Sequence, residues 1–274
     1  MSRKQHVPWK AAGAASEERH SADEVVQETG WVFNNVVGSS LTLADFVDTG
    51  DQETGAYLHA FELEHLTGPG ATMVEIGSGI GRMTAGLTRL FGRVYACDLD
   101  AAFLERCRET VAQFGRPDRL LTAHVADGRT LPIPAACADL TFSYITLQHC
   151  QHDDALALVR EAVSVTKPGG SVALNFRTWV PRDLALWPLG TAMRAMWRVP
   201  GLGGWLARRR FATRLGWQAN RLSPSQVLPS IPDLEDVRLF RSGRRRPFGL
   251  AGTTDRVFDG INPSHWWLIA RTRG

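Results

Sequence analysis

Short apolar stretches alternate with amphipathic stretches through the middle of the chain, and this alternation predicts a succession of strands and helices. Strands are predicted at residues 72–76, 94–97, 120–125, 138–143 and 171–176. Helices are predicted between them at residues 82–91, 101–114 and 153–166, because apolar residues recur there every three or four positions. Short apolar strands that alternate with helices are typical of a parallel sheet covered on both faces.

The alternation stops near residue 178 and divides the chain into predicted segments. They are a flexible arm (1–22), an N-terminal helical segment (23–70) with a helix at 54–66, a Rossmann-like core (71–177), a helical lid (178–220), and a C-terminal part (221–274). Within the lid we expect helices at 183–198 and 202–217, and a capped helix at 223–228 follows it. Strand-like residues 237–240 and 266–270 complete the sheet. The predicted fold class is therefore α/β: a doubly wound, mostly parallel seven-stranded sheet with a helical lid inserted before the last two strands.

Composition excludes several classes of protein. The chain has 274 residues, of which 44% are hydrophobic, enough for a sizeable core and too many for a disordered chain. No run of 18 apolar residues predicts a membrane span, and the N-terminus shows no apolar segment of a secretory signal. The four cysteines form no C-x-x-C pair, so we expect a reducing, cytoplasmic setting.

Charge is distributed unevenly along the chain. Residues 177–274 contain 17 of the 31 basic residues and 6 of the 28 acidic ones, whereas residues 1–176 are net acidic. The two parts therefore face different ligands or surroundings.

A glycine-rich turn is the sharpest motif. Residues 74–82 read V-E-I-G-S-G-I-G-R, in which a strand leads through Gly77, Ser78, Gly79 and Gly81 into a helix. Glycines permit a tight turn and allow the backbone to approach a ligand closely. The spacing is G-x-G-x-G with Glu75 before it, which differs from the dinucleotide pattern and from a phosphate-binding loop ending in Gly-Lys-Ser/Thr.

Two further acids follow successive strands. Asp98 ends the second strand, where a carboxylate can accept both hydroxyls of a ribose. Asp127 follows the third strand, where it can accept the amine of an adenine held between apolar neighbours. Each acid taken alone also fits a loop carboxylate that caps the next helix, but three acids in register with the glycine turn favour a nucleoside site.

These motifs resemble those of class I S-adenosylmethionine-dependent methyltransferases over roughly residues 54–177. V-E-I-G-S-G-I-G-R is similar to the first motif of that family, A-C-D-L-D to the second, V-A-D-G to the third, and A-D-L-T-F-S-Y-I-T-L-Q-H to the fourth. The resemblance implies S-adenosyl-L-methionine as cofactor, with Glu75 and the glycine turn on the methionine part, Asp98 on the ribose and Asp127 on the adenine. The implied cofactor-binding set is Glu75, Gly77, Ser78, Gly79, Gly81, Asp98, Leu99, Ala126, Asp127, Gly128 and Ser143.

Two residues after the fourth strand are candidates for catalysis. His149 is the preferred general base because imidazole titrates near neutral pH, and Tyr144 is the second candidate. His149 also fits a histidine that only orders the loop. A divalent metal on His149, His152 and Asp153 is a disfavoured alternative, because Asp153 also fits a helix N-cap.

The predicted lid is rich in tryptophan and arginine, a composition that suits a sugar, a lipid surface or nucleic acid, and equally a packed helix face or a homodimer contact. Nucleic acid is disfavoured because no reading module is present. We expect O-methylation of a small or oligosaccharide acceptor, and the chain more distantly resembles actinobacterial sugar O-methyltransferases of methylmannose polysaccharide synthesis. The alternatives are N- or C-methylation, a lipid or quinone acceptor, and a catalytically idle cofactor-binding scaffold.

Overall fold

The computed structural model describes residues 21–33, 41–207, 209–216 and 220–274. Its strands are β1 (Gly68–Ile76), β2 (Phe91–Asp98), β3 (Leu120–His124), β4 (Ala138–Ser143), β5 (Thr166–Arg177), β6 (Leu234–Arg241), β7 (Thr254–Val257) and β8 (His265–Thr272). Its α-helices are α1 (Ala22–Phe33), α2 (Leu43–Ala60), α3 (Thr84–Leu90), α4 (Ala101–Phe114), α5 (His152–Val165), α6 (Asp183–Met196), α7 (Leu202–Ala207), α8 (Arg210–Gly216) and α9 (Pro224–Val227). The predicted arm lies outside the described residues as far as residue 20.

The eight strands form one sheet in the order β3-β2-β1-β4-β5-β8-β6-β7. Strands β1 to β5 pair in parallel, and β8 runs antiparallel between β5 and β6. The chain moves outward from β1 to β3 and then returns to β4 on the other side of β1. A crevice therefore opens between the carboxyl ends of β1 and β4, where ligands bind in folds of this kind.

The predicted α/β fold class is confirmed, with one strand more than expected. The additional strand β7 has four residues and pairs in parallel with β6 at the edge of the sheet. Its side chains are mostly exposed, so T-D-R-V carries no apolar alternation that the sequence pattern could reveal.

Several predicted boundaries were wrong. Strands β1 and β2 begin at Gly68 and Phe91, before the predicted positions 72 and 94. The helix expected at 54–66 begins earlier, at Leu43 behind a capping box of Thr42 and Asp45, and ends at Ala60 before Glu62 adopts φ +61°. The strand expected at 171–176 begins earlier, at Thr166, and continues as far as Arg177. The helix expected at 202–217 is two helices, α7 and α8.

Both faces of the sheet are buried. Residues of α5 pack on one face, and Tyr57, Leu58 and Phe61 of α2 pack on the other. Trp266 and Trp267 are neighbours in β8 and belong to opposite faces, as the alternation of a strand requires. The sheet beneath the carboxyl edge is therefore packed on both of its faces.

The helical insertion (residues 178–220) is attached where β5 ends. Asp183, fully buried, accepts hydrogen bonds from Arg177 Nη2 and Arg221 Nη2, each at 2.9 Å. Met193, Trp197, Leu206 and Ala212 form a small core within the insertion. Across the described part of the chain, the helices are too short or too polar to span a bilayer.

Candidate functional site

The glycine turn adopts the backbone shape that its sequence predicts. Gly77, Gly79 and Gly81 have φ values of +84°, +55° and +94°, which side chains rarely tolerate. A Cβ at Gly77 would lie 2.0 Å from Thr146 Oγ1. The turn is held to β2 by the Gly77 amide, which donates to the Cys97 carbonyl at 2.7 Å. Gly77 is therefore required both by its dihedral angles and by the segment after β4.

Asp98 lies directly beside this turn. Its carboxylate accepts hydrogen bonds from the amides of Gly79 and Asp100, each at 2.9 Å. Burial raises the pKa of Asp98 to about 6, although these amides act in the opposite direction. A half-buried carboxylate in this position gains from further donors such as the hydroxyls of a ribose.

Glu75 lies beneath the turn and is almost completely buried. Thr84 Oγ1 at the start of α3 donates to its carboxylate at 2.6 Å. Burial raises the pKa of Glu75 to about 7, while this hydrogen bond and the Arg82 charge oppose the shift. Two acids whose charged forms are poorly solvated thus lie side by side, an arrangement that favours a positively charged ligand.

The third acid has a different environment. Asp127 is exposed, and its carboxylate accepts from the amides of Arg129 and Thr130 at 2.8 and 2.9 Å, which lowers its pKa. Leu99 borders the same loop, because a Cβ at Gly128 would lie 3.5 Å from Leu99 Cδ1. Ala126 beside them is also exposed. Asp127 therefore already stabilises its own turn, and its contact with an adenine stays a prediction.

Two serines of the predicted cofactor set have buried side chains. The Ser143 hydroxyl is buried and donates to the Ile76 carbonyl at 3.0 Å, which ties β4 to β1. Ser78 is buried beside the Cys107 thiol. The Ser143 hydroxyl is therefore already used within the sheet, whereas the Ser78 hydroxyl is buried without a hydrogen-bond partner among the described residues.

The segment after β4 is tightly constrained. Ile145 has φ +49°, an unusual angle for a β-branched residue, and its amide donates to the buried Asn175 Oδ1 at 3.3 Å. A short helical turn then carries His149, which is buried with its Nε2 atom 3.3 Å from Gln148 Nε2. Burial, Arg177 and His149 lower the pKa of His265, which starts β8, to about 3. The two imidazoles therefore lie near each other at the carboxyl edge.

Tyr144 is held in an aromatic cluster. Its ring stacks on Trp267 at 5.5 Å and lies 5.0 Å from Tyr57. Burial and the nearby Glu53 raise the pKa of Tyr144 to about 12. The phenol therefore keeps its proton at neutral pH and can donate a hydrogen bond there.

Helix α2 covers the glycine turn through an arginine that the site prediction did not include. Arg82 follows Gly81, is buried, and pairs with Glu53 of α2. Its Nη1 donates to Thr49 Oγ1 at 3.3 Å, and its guanidinium lies 6.0 Å from the Tyr144 ring centroid. Arg82 stands next to the motif in the chain, but only the tertiary structure brings α2 to it.

The opposite side of the crevice is basic. Arg177, Arg221 and the single carboxylate of Asp183 form a buried group with a net positive charge. Arg221 lies 4.7 Å from the Trp187 ring centroid, and Arg245 donates to the Trp179 carbonyl at 2.8 Å. The charge asymmetry of the sequence thus separates an acidic side at β1 and β2 from a basic side at β5 and β8.

Asn220, at the end of the helical insertion, forms hydrogen bonds to the turn that carries His149. Its buried side-chain amide donates to the carbonyls of Leu147 and Cys150 at 2.7 and 2.8 Å. Its backbone amide donates to the Gln148 carbonyl at 3.2 Å. The position of His149 is therefore set by a residue 71 positions later in the chain, which no local motif indicates.

The structure does not bring together His149, His152 and Asp153, the residues of the metal alternative. Among the described residues, no three histidine, cysteine or acidic side chains are grouped so that they could hold an ion. His149 is buried at the carboxyl edge, whereas His152 and Asp153 interact with each other on the surface. Asp153 is also not the N-cap of α5, which is Gln151, and lies in the first turn instead.

Comparison with known proteins finds similarity to methyltransferases over the middle of the chain. Residues 74–174 match the family model described as a methyltransferase domain. A carboxy-S-adenosyl-L-methionine synthase from Pseudomonas putida is 32% identical over 112 residues, covering 39% of this chain and 45% of that protein. A malonyl-[acyl-carrier protein] O-methyltransferase from Methylococcus capsulatus is 29% identical over 181 residues, covering 65% and 59%. The chain thus spans about half the length of the curated relatives it matches.

Solved structures show the same fold. A putative S-adenosyl-L-methionine-dependent methyltransferase from Methanococcus maripaludis aligns over 100% of this chain and 97% of its own, with a TM-score of 0.52 and 15% identity. The magnesium protoporphyrin IX methyltransferase from Synechocystis with bound S-adenosylhomocysteine aligns over 92% and 98%, with a TM-score of 0.52 and 13% identity. Residues 74–174 are therefore similar to a methyltransferase domain, and the chain shares the fold of these solved structures.

Proposed function

We propose that this protein is an S-adenosylmethionine-dependent methyltransferase that transfers a methyl group to an oxygen atom of its acceptor. The observation that carries the proposal is the Asp98 carboxylate, bonded to the Gly79 amide at 2.9 Å beside the crevice between β1 and β4. This position supports a nucleoside with its ribose on Asp98 and its charged end toward Glu75.

The residues on the two sides of the crevice have different roles, one side toward the cofactor and the other toward the acceptor. S-adenosylmethionine supplies an electrophilic methyl carbon on a positively charged sulfur. Glu75 and Asp98 provide negative potential on that side. The segment after β4 faces the other side and orients the acceptor, and such positioning lowers a barrier by about 7–11 kcal/mol.

His149 is the better candidate for the general base. The pKa of Tyr144, raised to about 12, leaves this phenol protonated at neutral pH, so it suits a hydrogen-bond donor. His149 lies at the start of the acceptor side and is held by the Asn220 bonds around it. We therefore assign proton removal from the acceptor hydroxyl to His149 and orientation to Tyr144.

The proposed acceptor is a sugar or glycan precursor that carries an acidic group. The oxygen target is supported by the name of one relative, an O-methyltransferase. The acidic group is supported by the buried arginine pair on Asp183 and by Arg245, which leave the acceptor side with excess positive charge. The sugar itself is a prediction from the sequence.

Transfer of a labelled methyl group into fractionated extract tests this proposal. The protein is incubated with methyl-labelled S-adenosylmethionine and with carbohydrate, lipid and phenol fractions, each divided by anion exchange. We expect label in an acidic carbohydrate fraction, with the methyl group on oxygen by NMR. Label only in neutral fractions contradicts the acidic acceptor, and label on nitrogen or carbon contradicts O-methylation.

Two other outcomes identify different functions. Cofactor binding by calorimetry with no labelled product in any fraction supports the scaffold alternative. Formation of carboxy-S-adenosyl-L-methionine, the product named for several relatives, contradicts methyl transfer and is detected by mass spectrometry of the same reactions.

A further inference from the structure

Large exposed apolar side chains are concentrated in one region of the described residues. Nine of the twelve lie between Trp179 and Phe211, in the helical insertion, and the other three are Leu90, Leu121 and Val257. Isolated exposed apolar side chains are normal on a protein surface, but a contiguous group marks an interaction site.

Helix α6 shows the concentration most clearly. With 100° between successive residues, its exposed apolar side chains fall within an arc of about 140°, with the exception of Leu186, which is 37% exposed and lies outside that arc. The members of this arc, called the α6 outer face, are Leu184, Ala185, Pro188, Leu189, Ala192, Ala195 and Met196. Leu184 is 80% exposed and Leu189 is 54% exposed. A surface helix normally turns charged and polar residues outward, so this helix has the opposite pattern.

The inner side of α6 packs against the rest of the protein. Asp183, Gly190 and Met193 are buried there, and Asp183 is bonded to Arg177 and Arg221. The outer face therefore does not contribute to the core.

Exposed apolar side chains also follow α6 in the chain. Val199, Leu202, Trp205 and Phe211, which precede or lie in the next two helices, are each at least 40% exposed. This many exposed apolar side chains in one insertion suit burial in a broad apolar surface better than contact with a single side chain of a partner.

The charge around these apolar side chains indicates which kind of partner binds there. Residues 178–216 contain seven arginines and one acid, Asp183, which is buried and paired. Arg182, Arg198 and Arg209 are exposed, and the guanidinium of Arg209 lies 4.8 Å from the Trp205 ring centroid. Apolar and tryptophan side chains bordered by arginines are typical of helices that lie in the interface of an anionic membrane. A second copy would instead bring two basic surfaces together.

We propose that the helical insertion docks on the surface of an anionic lipid bilayer, with the α6 outer face buried at the boundary between headgroups and acyl chains. This docking is independent of methyl transfer, because it uses no residue assigned to the cofactor or to His149. It places the carboxyl edge of the sheet toward the membrane, since the insertion is attached there through Asp183 and Asn220.

Vesicle flotation of the full-length protein tests this proposal. We expect the protein to float with phosphatidylcholine vesicles that contain 30% phosphatidylglycerol at 50 mM salt. Floating should weaken with pure phosphatidylcholine and at 500 mM salt, because each arginine near an anionic surface contributes about fivefold to binding at low salt.

Paired variants locate the contact. Replacement of two exposed leucines, L184S together with L189S, should lower the partition coefficient at least about tenfold. The matched control L90S with L121S removes two exposed leucines outside the insertion and should leave partitioning unchanged. All four side chains are exposed, so both variants should keep the circular dichroism spectrum and melting temperature of the parent.

Three outcomes overturn the proposal. They are no flotation with anionic vesicles at 50 mM salt, equal flotation of both double variants, and a dimer in sedimentation that L184S with L189S dissociates without any vesicle binding. The last outcome would assign the α6 outer face to a second copy of the chain.

Discussion

At the scale of single residues, Asp98 combines a structural and a binding role. Its two carboxylate oxygens bond to the amides of Gly79 and Asp100. The sequence placed this acid at the end of a strand, and the structure places it against the glycine turn. Its raised pKa, about 6, adds a dependence on pH that the sequence did not indicate.

Replacement of Asp98 by alanine should weaken binding of S-adenosylmethionine. Each charge-assisted hydrogen bond to the ribose contributes about 1.5–3 kcal/mol, so the loss should be at least about tenfold in Kd by calorimetry. In the parent protein, affinity should rise between pH 5 and pH 7 as Asp98 ionises. The exposed Asp118→Ala is the matched control, and an equal loss of affinity there would contradict the assignment.

Glu75 should make the ligand-free protein less stable at higher pH. Its pKa is raised to about 7, so the unfolded chain releases this proton first and stability falls as pH rises from about 4.5 through 7. Glu75→Gln should therefore have a higher free energy of unfolding than the parent at pH 8, by up to about 3 kcal/mol, and the same one near pH 4. A variant that is less stable at pH 8 would show that the charged carboxylate is needed for folding.

His149→Ala should lower kcat by about 10²–10⁴ with little change in cofactor affinity, because it removes the general base. Tyr144→Phe keeps the stacking on Trp267 and should cost less, mainly in KM for the acceptor. These constants are measured once the acceptor is known. Unchanged kcat in His149→Ala would reduce His149 to the loop-ordering role that the sequence left open.

At the scale of elements, the crevice depends on segments that are distant in the chain. Helix α2 reaches the glycine turn through Arg82 and Glu53. The end of the helical insertion reaches the His149 turn through Asn220. The positions of the strands followed from apolar runs, but neither of these contacts has a sequence signal, because each joins polar residues on separate elements.

Asn220→Ala should destabilise the protein by about 1–3 kcal/mol, since it removes two side-chain hydrogen bonds, to the carbonyls of Leu147 and Cys150. It should also lower kcat while cofactor affinity stays the same, because His149 loses its support. Thermal unfolding and calorimetry measure the two effects. The exposed Gln52→Ala should change neither, and a similar effect of both variants would contradict a specific role for Asn220.

At the scale of the whole molecule, charge is separated across one edge of the sheet. Acids lie at β1 and β2, and arginines lie at the ends of β5 and in the insertion. The sequence already showed this separation as an acidic first part and a basic second part. Only the fold brings the two parts to opposite sides of one crevice.

Saturating S-adenosylmethionine should stabilise the whole domain. At a concentration 100 times Kd, binding contributes about 2.7 kcal/mol, which corresponds to a Tm increase of about 5–10 °C for a chain of this size. Differential scanning fluorimetry measures the increase, and Asp98→Ala should reduce it. No shift at millimolar concentration would contradict the cofactor assignment.

The sequence by itself determined the α/β fold, the glycine turn and the acids at the ends of β1 and β2, because these depend on local apolar periodicity and on glycines at fixed spacing. The tertiary structure decided which of those side chains face the crevice: Ser143 and Ser78 turn inward, Asp127 caps its own loop, and His149 is held by Asn220. It also added strand β7 and exposed the apolar face of α6. The physical reason is that orientation and solvent exposure depend on packing between distant elements, which a pattern along one chain does not contain.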